Sequence, residues 1–155
     1  MKYIKKYEGK NYKISPRSSI IRAIENDDDT LIDKLIDIDD TFVYNNTAGW
    51  TALLIATYNN KIEIVKKLIS AGANLDIQNN AGSTALMCAA NNNYILILEE
   101  LIKAGADWNI QTRYGTDFIT ILLSQSVQRK QEIINMFPEE YEKYLTKKEI
   151  IKYNL

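Results

Sequence analysis

The sequence contains no histidine, one cysteine, two prolines and six glycines among its 155 residues. Without histidine, Ser-His-Asp and Cys-His catalytic machinery is excluded. The lone Cys88 excludes an intrachain disulfide and fits a reducing compartment. No apolar run approaches the roughly 20 residues a membrane span needs. The N-terminal stretch MKYIKKYEGKNYKIS has no secretory apolar core. An excess of one charge is also missing. Nineteen basic and twenty acidic residues leave a formal net charge of −1, which gives the whole chain no address for nucleic acid or an anionic membrane. The expectation is a cytoplasmic protein that binds neither. Glycine-rich phosphate loops are absent, and Asp27-Asp28-Asp29 lacks the ligand spacing of a calcium loop. No catalytic residue, metal or cofactor is expected, and Cys88, inside Met87-Cys88-Ala89-Ala90, reads as a packing thiol.

What is present is a repeat. Residues 47–79 and 80–112 align at a shift of 33, with 17 of the 33 positions identical. The shared residues include Ala48/Ala81, Gly49/Gly82, Thr51/Thr84, Ala52/Ala85, Leu53/Leu86 and Ala56/Ala89. Further along, Leu68-Ile69 matches Leu101-Ile102, and Ala71-Gly72-Ala73 matches Ala104-Gly105-Ala106. Each shared position has a physical task. Thr51 and Thr84 suit the N-cap of a first helix, and small Ala56 and Ala89 let that helix approach its neighbours. Ile62, Val65, Leu68 and Ile69 recur at helical spacing and predict the buried face of a second helix, as do Ile95, Leu98, Leu101 and Ile102. Gly72 and Gly105 suit left-handed C-caps. Gly49 and Gly82 suit the turn before each first helix.

This pattern resembles the ankyrin repeat family. The family's Thr-Pro-Leu-His stands here as Thr51-Ala52-Leu53-Leu54 and Thr84-Ala85-Leu86-Met87. Its later apolar pair and Gly-Ala step stand as Leu68-Ile69-Ser70-Ala71-Gly72-Ala73 and Leu101-Ile102-Lys103-Ala104-Gly105-Ala106. The family histidine is replaced by Leu54 and Met87, so packing must substitute for its hydrogen bonds. The missing proline removes a rigid helix start.

The same register extends both ways. Upstream, Ser18, Ile20 and Ala23 fall under Thr51, Leu53 and Ala56, so residues 15–46 read as a divergent first repeat. Ser15-Pro16 would open its first helix, and Thr30 would cap its second, with Asp33 in the first turn. Downstream, residues 113–137 read as a divergent last repeat, with helices near 117–125 and 128–137 that bury Ile133, Ile134 and Phe137. Terminal repeats need a polar outer face, so divergence at both ends is expected. Residues 138–155 read as a C-terminal helical extension, with Pro138 opening one helix and Thr146-Lys147-Lys148-Glu149 forming a capping box for another. Residues 1–14 form a separate N-terminal segment. The fold class is therefore an all-α solenoid of helix-turn-helix units with capping repeats.

The resemblance implies a non-enzymatic protein-protein interaction module, whose partner binds a concave face of loop tips and first helices. The matching positions are Thr47, Trp50, Tyr58 and Asn59 in one inner repeat, and Asn80, Ser83, Asn91 and Asn92 in the other. In the last repeat they are Arg113, Tyr114 and Thr116. Trp50, Tyr58, Arg113 and Tyr114 have the chemistry of interface anchors. Trp108 falls under Leu75 and reads as packing. Two other roles fit the same surface: a stoichiometric, immunity-type inhibitor of a toxin or enzyme, and a regulatory or structural subunit of a larger assembly. The eight acids from Glu25 to Asp40, against Lys34 alone, would suit a basic target. The partner is expected to be another protein, and the unbound chain a monomer.

Overall fold

The computed structural model describes residues 16–36, 49–124 and 126–153, and the regular structure among them is entirely helical. Helices α1 (Pro16–Glu25) and α2 (Asp29–Ile36) form a first pair, α3 (Ala52–Tyr58) and α4 (Ile62–Ser70) a second, and α5 (Ala85–Asn92) and α6 (Ile95–Lys103) a third. A fourth pair is α7 (Phe118–Leu123) and α8 (Val127–Met136), followed by α9 (Pro138–Tyr153). The first helices pack side by side in the order α1, α3, α5, α7, and α2, α4, α6 form a second row behind them. The result is a solenoid in which each unit touches its neighbours.

The sequence signals explain these elements. The Thr51 hydroxyl accepts from Leu54 N at 3.1 Å and the Thr84 hydroxyl from Met87 N at 3.4 Å, each such cap contributing about 1 kcal/mol. Ala56 and Ala89 are fully buried, so the inner row closes without a gap. Leu54 and Met87, where the motif has histidine, are buried in the core. Gly72 and Gly105 take φ of +82° and +89°, and Ala73 N and Ala106 N bond back to Leu68 O and Leu101 O. This satisfies carbonyls that the helix end leaves open.

A second periodic device escaped the motif reading. Asp27, Asn60 and Asn93, spaced by 33, all adopt left-handed backbone with φ of 54°, 56° and 60°. After each, the next amide (Asp28, Lys61, Tyr94) donates to Ala23, Ala56 or Ala89 at 2.9 Å. The same turn therefore folds each of the first three helix pairs, and Asp and Asn tolerate it because their short side chains fit the left-handed region. Three local expectations change. The α2 cap is Asp28, whose Oδ1 accepts from Leu31 N at 3.0 Å, so Thr30 lies inside the helix. The fourth pair starts and stops a residue or two from the expected bounds, with Asp117 as cap and Phe137 beyond the end. Residues 138–153 form one helix rather than two: the Thr146 hydroxyl donates to Glu142 O within it instead of opening a new cap. Ser15, the expected opening of the first helix, lies outside the described residues.

The core runs through all four units, and Ile24, Ile32, Leu53, Leu68, Leu86 and Leu98 are among its most buried side chains. Ile64 and Ile97 belong to it as well, whereas Ile62 and Ile95 sit at its margin. Of the buried polar side chains, Thr57 differs from Thr51, Thr84 and Asp117 in that its hydroxyl has no hydrogen-bond partner among the described residues. Its register mates are Ile24 and Ala90, both apolar. Thr57→Val keeps the shape and removes an unsatisfied polar group, so it is expected to stabilise the chain by about 1 kcal/mol. The urea midpoint reads this directly, and an unchanged or lower midpoint would show that the hydroxyl is satisfied in solution.

Candidate functional site

The third and fourth units each begin with a tight loop, a finger, ahead of the first helix. In one, Asn79 Oδ1 accepts from Ala81 N at 2.9 Å and Ser83 N at 3.0 Å, while Asn79 N donates to Ser83 O. In the next, Thr112 holds the same place: its hydroxyl accepts from Tyr114 N and Thr116 N, and Thr112 N donates to Thr116 O at 2.8 Å. A short polar side chain at the same register position thus sets both finger shapes. The fingers also touch one another. Gln78 Nε2 donates to Gly82 O in its own finger and to Gln111 O in the next. A β-carbon on Gly82 would lie 2.7 Å from Arg113 N, and one on Gly49 would lie 2.7 Å from Asn80 Oδ1. The fingers stack backbone against backbone.

The expected binding residues fall on these fingers and on the C-terminal ends of the first helices. Thr47 lies outside the described residues. Trp50 is half-buried against the core, and its ring meets that of Tyr58 edge-on, with centroids 5.2 Å apart. That contact joins a finger base to the far end of α3, and Tyr58 itself is 54% exposed. Asn59, Asn91 and Asn92 are exposed at the ends of α3 and α5. Asn80, Arg113 and Tyr114 stand exposed on fingers, Tyr114 at 90%, whereas Ser83 and Thr116 are partly covered. Tyr94 was not foreseen: its hydroxyl donates to Tyr58 O at 3.4 Å and links the second unit to the third. Its register mate, Lys61, reaches back to Asp27 at 2.5 Å, so the position carries an inter-unit tie in both copies. Trp108 is buried edge-on against Phe118, with centroids 5.0 Å apart, and serves packing.

The electrostatics are segregated. Across 49–59, 79–92 and 112–124 the only charged residues are Arg113 and the buried Asp117. In these units the charge lies on the second helices, as in the pairs Lys67–Asp33 at 2.9 Å and Lys103–Glu99 at 2.5 Å, whereas in the first unit α1 also carries Arg22 and Glu25. Cys88 lies buried on α5, and burial pushes its thiol up to about 11, against a smaller opposing effect of the Asn92 side chain. Stability from the neutral thiol is complete below the ordinary value of 9.0 and is lost as pH rises toward about 11, because the unfolded chain releases its proton first. Alkylation by iodoacetamide at pH 8 is expected to be slow in the native chain and fast in denaturant. Equal rates would contradict the burial. Among the described residues, no three His, Cys, Asp or Glu side chains group to hold a metal, and no helix is long and apolar enough to cross a membrane.

A family model described as ankyrin repeats (3 copies) matches residues 20–112. Among solved structures, the chain is similar to the crystal structure of the ankyrin repeat domain of Bcl-3, a unique member of the IkappaB protein family. The TM-score is 0.67 and the identity 20%, over 75% of this chain and 50% of that one. The chain thus spans half the length of that solved domain, and the likeness is one of fold. The comparison with curated proteins finds no match.

Proposed function

Because the chain belongs to the ankyrin repeat family, we propose that it is a non-enzymatic module that binds one partner protein across its stacked fingers and first-helix ends. Its units run over 15–46, 47–79, 80–112 and 113–137, with 138–155 as a C-terminal helical extension, and the cytoplasm is its compartment. One observation carries the reading. Tyr114 stands 90% exposed on a finger whose backbone is held by four hydrogen bonds: two to the Thr112 hydroxyl, Thr112 N to Thr116 O, and Gly115 N to Thr112 O. A large side chain presented on a pre-ordered loop loses little entropy on association, which is how rigid surfaces gain affinity. Tyrosine also combines contact area with a hydroxyl, the chemistry enriched at interface hot spots.

The inhibitor reading, in which the acidic stretch steers a basic enzyme, is less favoured. Asp27 and Asp33 are paired with Lys61 and Lys67 of the next unit, so part of that charge is spent inside the protein. The test is affinity for the partner recovered with the intact chain. Tyr114→Ala is expected to weaken binding by about tenfold or more, as hot-spot truncations do, with the thermal midpoint unchanged. Trp50→Ala should lower both, because its ring is half-buried. Full affinity in both variants would remove this surface as the site.

A further inference from the structure

The fingers seat against the preceding unit by a contact that repeats. A β-carbon built on Gly49 would lie 2.9 Å from Asn80 N, and one on Gly82 would lie 2.7 Å from Arg113 N. Asn80 and Arg113 hold the same register position, as do the two glycines. The backbone of the following finger therefore fills the space that a side chain would take. The second of these contacts also carries bonds. Gln78 Nε2 donates to Gln111 O at 2.7 Å, and Arg113 N makes a long contact with Ala81 O at 3.5 Å. One finger edge thus meets the C=O of residue 111 and the N–H of residue 113 in the next. Groups with that spacing also share one edge of an extended chain, because its backbone alternates with period two.

The fourth finger repeats this edge with the space open. Gly115 is the third glycine of the series, with φ of +73°, and nothing among the described residues lies within 4 Å of its β-carbon position. Left-handed backbone accounts for glycine at all three places; only at Gly115 does no finger stand against it. Tyr114 and Gln111 are the register mates of Ala81 and Gln78, so the acceptor and the donor recur, and both residues are exposed. The chain then runs into α7, α8 and α9, and no further finger follows among the described residues. Resting on the binding reading above, we propose that the partner adds an extended backbone segment to this open edge. A C=O of the segment accepts from the Gln111 amide, the N–H two residues on donates to Tyr114 O, and the main chain between lies on Gly115. The occupant follows from continuity, since it takes the place that the fourth finger takes on the third. Strand addition of this kind draws affinity from main-chain bonds, and Tyr114, on the same finger, supplies the side-chain anchor.

A phage-displayed library of random dodecapeptides, panned on the intact chain, supplies the probe, and the enriched peptide is then synthesised. Gly115→Ala puts a methyl where the segment must lie and is expected to weaken binding by about tenfold or more. Gly105→Ala is the control. Its φ of +89° and open surroundings impose the same backbone strain, and binding should be unchanged. Gln111→Ala removes an exposed side chain and should cost about fivefold, as one lost hydrogen bond does, at an unchanged thermal midpoint. In the peptide, N-methylation of one amide should abolish binding, while methylation of the amides on either side, which face the other edge, is tolerated. No enrichment, equal losses in Gly115→Ala and Gly105→Ala, or indifference to Gln111→Ala and to N-methylation overturns the open-edge proposal. If Tyr114→Ala loses the peptide while Gly115→Ala and Gln111→Ala keep it, the open edge falls and the finger surface stands. If the Trp50, Tyr114, Gly115 and Gln111 variants all bind the peptide normally, both fall.

Discussion

Gly82→Ala is expected to destabilise the chain by about 3 kcal/mol, against about 1 kcal/mol for Gly115→Ala. Both glycines have left-handed backbone, with φ of +82° and +73°, so both substitutions bear the same conformational strain. They differ in what the new methyl meets. At Gly115 nothing lies within 4 Å. At Gly82 the β-carbon would sit 2.7 Å from Arg113 N and 2.9 Å from Thr112 Cα, which are backbone atoms of the next finger. No side-chain rotation relieves that overlap, so the two fingers must separate. The long contact from Arg113 N to Ala81 O, at 3.5 Å, would be the first to part. Urea unfolding of the two variants measures the difference, and equal losses would show that the fingers do not stack in solution. Because Arg113 and Tyr114 ride on the displaced finger, Gly82→Ala should also weaken partner binding.

The second large effect centres on Asp117. Its carboxylate is buried and accepts from Thr120 N at 2.8 Å, the Thr120 hydroxyl at 2.6 Å and the Tyr144 hydroxyl at 2.9 Å. It therefore caps α7 and ties α9 to the fourth unit with one group. Asp117→Ala leaves Tyr144 without its acceptor and α7 without its cap, an expected loss of about 3 kcal/mol. Two milder variants separate the roles. Asp117→Thr restores the residue that Thr51 and Thr84 use, so the cap is retained and only the tie to Tyr144 is lost. Tyr144→Phe loses the same tie from the other side, an expected cost of about 2 kcal/mol for a hydrogen bond to a charged group. The double variant should be no worse than either single one. Additive losses would show that the tyrosine and the carboxylate act independently.

Much of the fold was readable because its devices are local or periodic. Thr51, Thr84, Gly72 and Gly105 act within a few residues of themselves, so their identity and spacing reveal them. The left-handed turn at Asp27, Asn60 and Asn93 is just as periodic. It was missed because asparagine and aspartate are common in loops and do not announce a positive φ as glycine does. The Thr146 misreading has the opposite origin: a Thr-x-x-Glu pattern resembles a cap, but strong helix formers on both sides let the helix run through it. Nothing in the linear sequence joins Asp117 to Tyr144, which lies 27 residues on and beyond the last repeat. For the candidate surface, the family resemblance carried over by register located Tyr58, Asn59, Asn91 and Asn92 at the helix ends. The packing of Trp50 on Tyr58 depends on how a finger folds over its own helix, which no spacing rule encodes.

The left-handed turn has a consequence for how such a chain changes over generations. The same backbone joint, closed by the same bond, recurs at a spacing of 33 residues in the first three units, and these units pack on one another in order. A stretch of that length can be duplicated or lost in frame, and the flanking units still find a surface they already fit. Lengthening the array requires no new interface, only another copy of an old one. The fourth unit is different, because its carboxylate cap is committed to the tyrosine of the final helix. A copy of that unit would also need a copy of its tyrosine partner, whereas the units upstream carry no such commitment among the described residues.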